Sequence, residues 1–490
     1  MKKLFVLLLL FLVSCSTEKN STEKTIQNEI SNNKNSFFYV NFNNYPSKNK
    51  KLPIGIFDSG TGGLTVLDAI LNSDNFNNSS HKFNNSGDKK IDFISESFIY
   101  LGDKANMPYG EYSGNNKTDL LKEHIIKDVQ FLLGNKYYSS KNSSQFEKDK
   151  SPVKAIVIAC NTATAYGKSD IENFINDAGL DIVVIGVIGA GVRGALENIK
   201  KEESATIGIM ATAGTVASNG YPNTVVEQKA NLNYSGDIIT FQQAGIGLAA
   251  AIDGEKDYLD ESLKSIRKNY RGPSFTIKNA LIDKTILNRY NFDFSNNQIL
   301  FSGNEKHPSQ IQLNSIDNYI KFHVISLLEK IKNSDSKVRL KSVILGCTHY
   351  PFFTDNFNDV FQFAYNYKEG SKFIYRDYME KEISLVDPAI NTAKELYTYL
   401  RQNDLFNDGS IENSEFYLSV PNLTNKNNQL KDKQNFTYEY KYGRTQGEIQ
   451  EYVRRVPFSD STISKELTER LKVQIPLTYG LINKFINSNK

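Results

Sequence analysis

The sequence predicts an α/β protein built on mainly parallel sheets covered by helices. Three observations carry this. Continuous apolar runs of four to seven residues recur from Lys51 onward, as in strands buried on both faces. Helix-length amphipathic segments follow most of these runs, and alternating strand and helix gives α/β layers. The chain has 490 residues, of which 39% are apolar and 23% charged. That is enough for a sizeable core and for two to four domains at about 100–200 residues each.

In order along the chain, Met1-Lys2-Lys3 is a basic start, Leu4–Val13 is apolar, and Ser14-Cys15 follows. This is an export signal, about half as long as a helical membrane span requires. Leu12-Val13-Ser14-Cys15 resembles the bacterial lipoprotein signal, in which the Cys is lipidated and becomes the new N-terminus. Residues 16–51 are rich in Ser, Thr, Asn, Lys and Glu and read as a flexible tether. The predicted strands are Ile54–Phe57, Phe98–Leu101, Ala155–Ala159, Ile182–Ile188, Ala205–Met210, Ile238–Phe241, Val343–Leu345 and Ile383–Val386. A clear helix is Ile316–Ile331, whose apolar residues recur at three- and four-residue steps behind a Ser315 cap. Polar stretches near 73–91, 135–151, 265–312 and 421–436 read as surface insertions. Ser464–Lys472 reads as a helix. Lys and Arg number 58 against 55 Asp and Glu, so charge gives no reason to expect nucleic acid.

Chemistry concentrates at strand ends. Ala155-Ile-Val-Ile-Ala159 runs into Cys160-Asn161-Thr162, and Val343-Ile-Leu-Gly346 runs into Cys347-Thr348-His349. In open α/β sheets ligands bind beyond the carboxyl ends of strands, and a helix N-terminus there favours thiolate. Only three Cys occur, too few for a disulfide framework. Cys160 and Cys347 are therefore a long-range bridge, two buried apolar residues, or two working thiols. As working thiols they suit two-base proton transfer at a stereocentre, a redox couple, or one nucleophile with a bystander. Asp58-Ser-Gly-Thr-Gly-Gly63 is a third strand-end loop, suited to an anion, with Asp58 as a base, an orienting group or a helix cap. Of the five His, His81 and His307 fall in polar insertions. His323 reads as structural and His124 as lying on a solvated helix face. His349 is singled out by its place beside Cys347. No His or Cys spacing suits a metal.

These segments resemble the glutamate racemases of the aspartate/glutamate racemase superfamily. The matching stretches are Ile54-Gly-Ile-Phe-Asp-Ser-Gly-Thr-Gly-Gly-Leu-Thr-Val-Leu67, Tyr100-Leu-Gly-Asp-Lys-Ala-Asn-Met-Pro-Tyr-Gly110, Val157-Ile-Ala-Cys-Asn-Thr-Ala163 and Val184-Ile-Gly-Val-Ile188. Ala211-Thr-Ala-Gly-Thr-Val-Ala-Ser218, Ile344-Leu-Gly-Cys-Thr-His-Tyr-Pro351 and Leu385-Val-Asp-Pro388 follow in the family's order. The resemblance implies two similar domains with the site in the cleft between them. Residues 52–185 with about 388–420 form the first, and 186–387 the second, with an insertion near 265–312. Residues 421–490 would be an extension. It implies no cofactor, Cys160 and Cys347 as the acid–base pair, and Asp58 and His349 as their assistants. Asp58 with Ser59, Tyr109 with Gly110, Asn161 with Thr162, and Thr348 with His349 would hold the amino acid. Asp253 stands where the family has a further acid, usually Glu. Gly189-Ala190 and Asn106 also depart from the pattern, the latter where a basic residue is frequent.

The expected function is interconversion of L- and D-glutamate for peptidoglycan. The alternatives are a relative acting on aspartate or another amino acid, and an amino-acid-binding lipoprotein without turnover. The expected location is the exported side of the cell envelope, through lipid on Cys15, or the cytoplasm if the signal is not used. A homodimer is left open.

Overall fold

The computed structural model describes residues 25–84, 87–252 and 254–489. The apolar leader, Cys15 and Asp253 lie outside the described residues.

The chain begins with α1 (Ile26–Asn32). β1 (Ile54–Asp58) then runs into α2 (Leu64–Leu71), and β2 (Phe98–Gly102) into α3 (Gly110–Gly114) and α4 (Thr118–Leu133). β3 (Ala155–Ile158) leads to α5 (Asn161–Asp177), and β4 (Val183–Gly186) to α6 (Val187–Glu197). Next come β5 (Ala205–Ala211), α7 (Ala213–Ala217), α8 (Gly220–Asn231), β6 (Ile238–Ala244) and α9 (Leu248–Ile252). A hairpin of β7 (Ile299–Asn304) and β8 (His307–Leu313) precedes α10 (Ile316–Lys332), β9 (Leu340–Gly346) and α11 (Thr354–Asn366). After the two-residue strands β10 (Lys368–Glu369) and β11 (Lys372–Phe373) come β12 (Met379–Val386) and α12 (Pro388–Gln402). The chain ends with β13 (Glu415–Pro421), α13 (Tyr438–Gly443), β14 (Val453–Pro457), α14 (Lys465–Gln474) and α15 (Pro476–Ser488).

Two main sheets result. The first has the order β14-β13-β2-β1-β3-β4, parallel except for β14. The second has the order β12-β9-β5-β6, parallel throughout. Every residue of β1 is buried because both faces are covered. Ile54 and Ile56 point into one apolar cluster and Phe57 into the other, the alternation a strand imposes. Register aligns the carboxyl ends: Asp58 pairs with Gly102, and Phe57 with Ile158. In the second sheet Gly346 pairs with Ala211. The α/β reading holds, and all eight predicted strands are strands.

Several expectations change. The described part of the segment read as a tether, residues 25–51, is folded. Thr25 caps α1, and Ile26, Ile30, Phe37, Phe38 and Val40 are buried in the cluster that also holds α4. Lys136 donates its ammonium to the carbonyls of Ser36 and Phe37. A few apolar anchors at the right spacing suffice, since each fully buried Phe or Ile contributes about 1.5–3 kcal/mol. His124 is buried rather than solvated, because residues 25–45 and the C-terminal segment cover the outer side of α4. The apolar run Ile182–Ile188 is divided between β4 and α6, which periodicity alone cannot resolve. The 265–312 insertion carries β7 and runs into β8. The extension is part of the core: β14 edges the first sheet, and Leu471, Ile475, Leu481, Ile482 and Ile486 join its cluster. Among the described residues no helix is long and apolar enough to cross a membrane.

Candidate active site

The carboxyl ends of both sheets open into one cleft of about 840 Å³. Asp58, Ser59, Tyr109, Gly110, Cys160, Asn161, Thr162, Cys347, Thr348 and His349 all line it. These are all the candidate site residues that the structure describes. Cys160 follows β3 in the first sheet, and Cys347 follows β9 in the second. Two segments 187 positions apart are thus brought to one space by the way each sheet ends.

Both cysteines are free thiols, 6% and 5% exposed. Cys160 caps α5, and its Sγ accepts the main-chain N–H of Ala163 at 3.4 Å. That N–H and the positive end of the helix favour thiolate, but burial opposes them. Burial, then the neighbouring Asp58, push the Cys160 thiol up to about 12. Cys347 lies 3.6 Å, Sγ to Nδ1, from His349. A short 3-10 turn (Tyr350–Phe353) follows it, not the α-helix the sequence suggested.

Asp58 ends β1, and its carboxylate accepts the N–H groups of Gly60 at 3.1 Å and Gly63 at 3.0 Å. It therefore holds the glycine loop, while Gly63 stands at the N-cap of α2. Burial pushes this carboxyl above the usual range; the N–H bonds and the charge of His349 act the other way. Tyr100 clamps the same loop by donating to the Gly60 carbonyl at 2.8 Å.

The two halves meet through small residues. A Cβ on Gly62 would lie 2.7 Å from Thr348 Oγ1 and 3.0 Å from His349 Cε1, so only glycine lets the loops approach this closely. Thr65 donates to the Thr348 carbonyl at 3.1 Å. A Cβ on Gly214 would lie 2.6 Å from the Cα of Gly110, so α3 and α7 touch backbone to backbone. Tyr221 donates to Asn161 Oδ1 at 2.7 Å and fixes the amide above Cys160. Tyr109 borders the cleft, and its hydroxyl lies 2.6 Å from both Asp103 and Asp128.

The outer rim has no clear signature in the sequence. Glu255, Tyr258 and Arg271 reach it from the second domain, and Lys431, Phe436 and Tyr442 from the C-terminal segment. Only the aromatic spacing of Tyr438-Glu-Tyr-Lys-Tyr442 could have drawn notice.

No family model matches the chain. The glutamate racemase of Lactobacillus johnsonii is 25% identical over 354 residues, covering 72% of this chain and 83% of the relative. That of Aquifex pyrophilus is 36% identical over 181 residues, 37% of this chain and 53% of the relative. A solved glutamate racemase isoform from Bacillus anthracis aligns with a TM-score of 0.42 at 22% identity, covering 75% and 87% of the two chains. Over most of its length the chain is therefore similar in sequence to glutamate racemases.

Proposed function

We propose that the protein is a glutamate racemase that needs no cofactor and supplies D-glutamate, a peptidoglycan building block. The observation that carries this is the pair of buried free thiols at the ends of two different sheets, both lining one cleft. Each has an ionisable neighbour: Asp58 for Cys160 and His349 for Cys347. In this reading one thiolate takes the α-proton from one face of the amino acid, and the opposite thiol delivers a proton to the other. The Cα configuration inverts and the two cysteines exchange protonation states. With its thiol pushed up, Cys160 rests as a donor. The substrate's α-ammonium, entering beside Asp58 and Cys160, would lower the cost of the thiolate. Asn161, Thr162 and Thr348 offer hydrogen-bonding groups for the carboxylate.

Enantiomers have equal free energy, so the purified protein should carry L-glutamate to an equal mixture of L and D without any additive. Chiral chromatography checks this. Conversion of aspartate but not glutamate would move the assignment to another amino acid, and binding without conversion would end it.

We also propose that Cys15 carries lipid and holds the protein at the exported face of the envelope. The support is the basic start, the short apolar run and the Leu-Val-Ser-Cys end. Multiple acyl chains hold a protein stably where one does not. Cys15→Ser is expected to leave racemisation unchanged and move the protein out of the membrane fraction. Wild-type chain recovered in the cytosol with Met1 intact would overturn this.

A further inference from the structure

Behind the wall formed by Tyr109, three parts of the chain bury charge together. α4 supplies Glu123, His124, Lys127 and Asp128; the turn after β2 supplies Asp103 and Asn106; the C-terminal segment supplies Arg444 and Arg455. None is more than 5% exposed. Arg455 donates to Asp128 at 3.3 Å, Arg444 to Asn106 Oδ1 at 2.8 Å, and Lys127 to Glu123 at 2.6 Å.

Proton counting sets the net charge. The Tyr109 hydroxyl lies 2.6 Å from Oδ2 of Asp103 and from Oδ2 of Asp128. A phenol has one hydrogen, so a carboxyl must donate one of these two contacts. The two aspartates therefore hold one proton between them and carry one negative charge. Burial, followed by the charge of Asp103, pushes Asp128 well upward, in agreement. His124 is held neutral by burial and then by Arg444, Lys127 and Arg455. Arg454 lies over the Tyr138 ring, and Glu451, which also lines a small void beside Arg444 and Arg455, accepts the Tyr138 hydroxyl. With Arg454, Lys441 beside Asp103, and Glu448 on the Tyr452 hydroxyl included, five cations (Lys127, Lys441, Arg444, Arg454 and Arg455) face four negative charges (Glu123, Glu448, Glu451 and the aspartate pair).

Three of these side chains also have polar atoms with no partner. Arg444 Nε and Nη1, Arg455 Nε and His124 Nε2 are buried without a hydrogen bond. Their side chains line one small void of about 10 Å³, which Gln450 and Glu451 also line. Buried guanidinium N–H groups left unpaired are costly, and such a void admits one atom-sized guest. A cation is repelled, and a carboxylate or phosphate is too large.

We propose that this void is a binding site for one monatomic halide-class anion, held by the guanidinium groups of Arg444 and Arg455 and by His124. The anion balances the remaining positive charge and ties the C-terminal segment to α4 beside the cleft wall.

The test compares the full chain in sodium chloride, sodium bromide and sodium gluconate at equal ionic strength. Chloride at about tenfold over its Kd is expected to raise the Tm by about 1–2 °C over gluconate, with a saturable dependence. Arg444→Met, which keeps the bulk but removes the donors, should lose that difference. Crystals of the unaltered protein grown in bromide should show one anomalous peak between Arg444, Arg455 and His124, a measurement that does not depend on any variant folding. No chloride-specific rise, or a water without anomalous signal at that position, would overturn the proposal.

Discussion

Replacing either Cys160 or Cys347 by alanine is expected to abolish racemisation, lowering turnover by about 10²–10⁴-fold, the range a positioned acid or base contributes. The two losses should differ in kind. Cys160 stands at the end of the first sheet and Cys347 at the end of the second, so in the proposed reaction each would meet a different face of the amino acid. With one thiol gone, the other can still take a proton from the enantiomer whose α-hydrogen points toward it. It can return only a solvent-derived proton to the same face. Each variant should therefore exchange the α-hydrogen of one enantiomer in deuterium oxide without inverting it, and the two should prefer opposite enantiomers. Proton NMR reads both results. Racemisation at the wild-type rate by either variant would remove the two-base mechanism.

The second large effect is on stability. Lys154 and Glu96 form an ion pair at 2.7 Å, with side chains 0% and 1% exposed. The ammonium also donates to the carbonyls of Lys50 and Leu405, each at 2.7 Å. One group thus ties the entry to β1, the start of β3 and the end of α12. Lys154→Met would leave the Glu96 carboxylate buried without its partner, which costs about 3–5 kcal/mol. The double variant Lys154→Met with Glu96→Gln should recover part of that loss, because the stranded charge is gone. Urea unfolding checks both. A single variant whose midpoint matches wild type would show that water reaches this pair.

What could be read from the sequence is what lies within one strand and its turn. β1, β3, β5 and β9 announce themselves as unbroken apolar runs, and Asp58, Cys160 and Cys347 stand immediately past such runs. Sites built at strand ends are local in sequence even when their halves are far apart. What escaped depends on distant pairing. β13 lies beside β2, more than 300 positions earlier, and β14 contains Arg454 and Arg455, whose charges disguise a buried strand. His124 reads as solvated because its covers, Phe38 and Tyr452, come from opposite ends of the chain. Asn106 illustrates the same limit. It stands where the resembled family often has a basic residue, and here a guanidinium reaches it from Arg444. A polar position looks isolated in the sequence when its cation comes from 338 residues away.

The docking of residues 25–45 onto α4 also sets a leash length. If the acyl anchor sits on Cys15, ten peptide steps separate it from Thr25, the cap of the docked α1 helix. Fully stretched they span roughly 35 Å, against roughly 120 Å if slack ran to Lys51. The catalytic body would thus ride within about one protein diameter of the lipid surface. It would sample a shallow layer of the compartment and draw substrate from there.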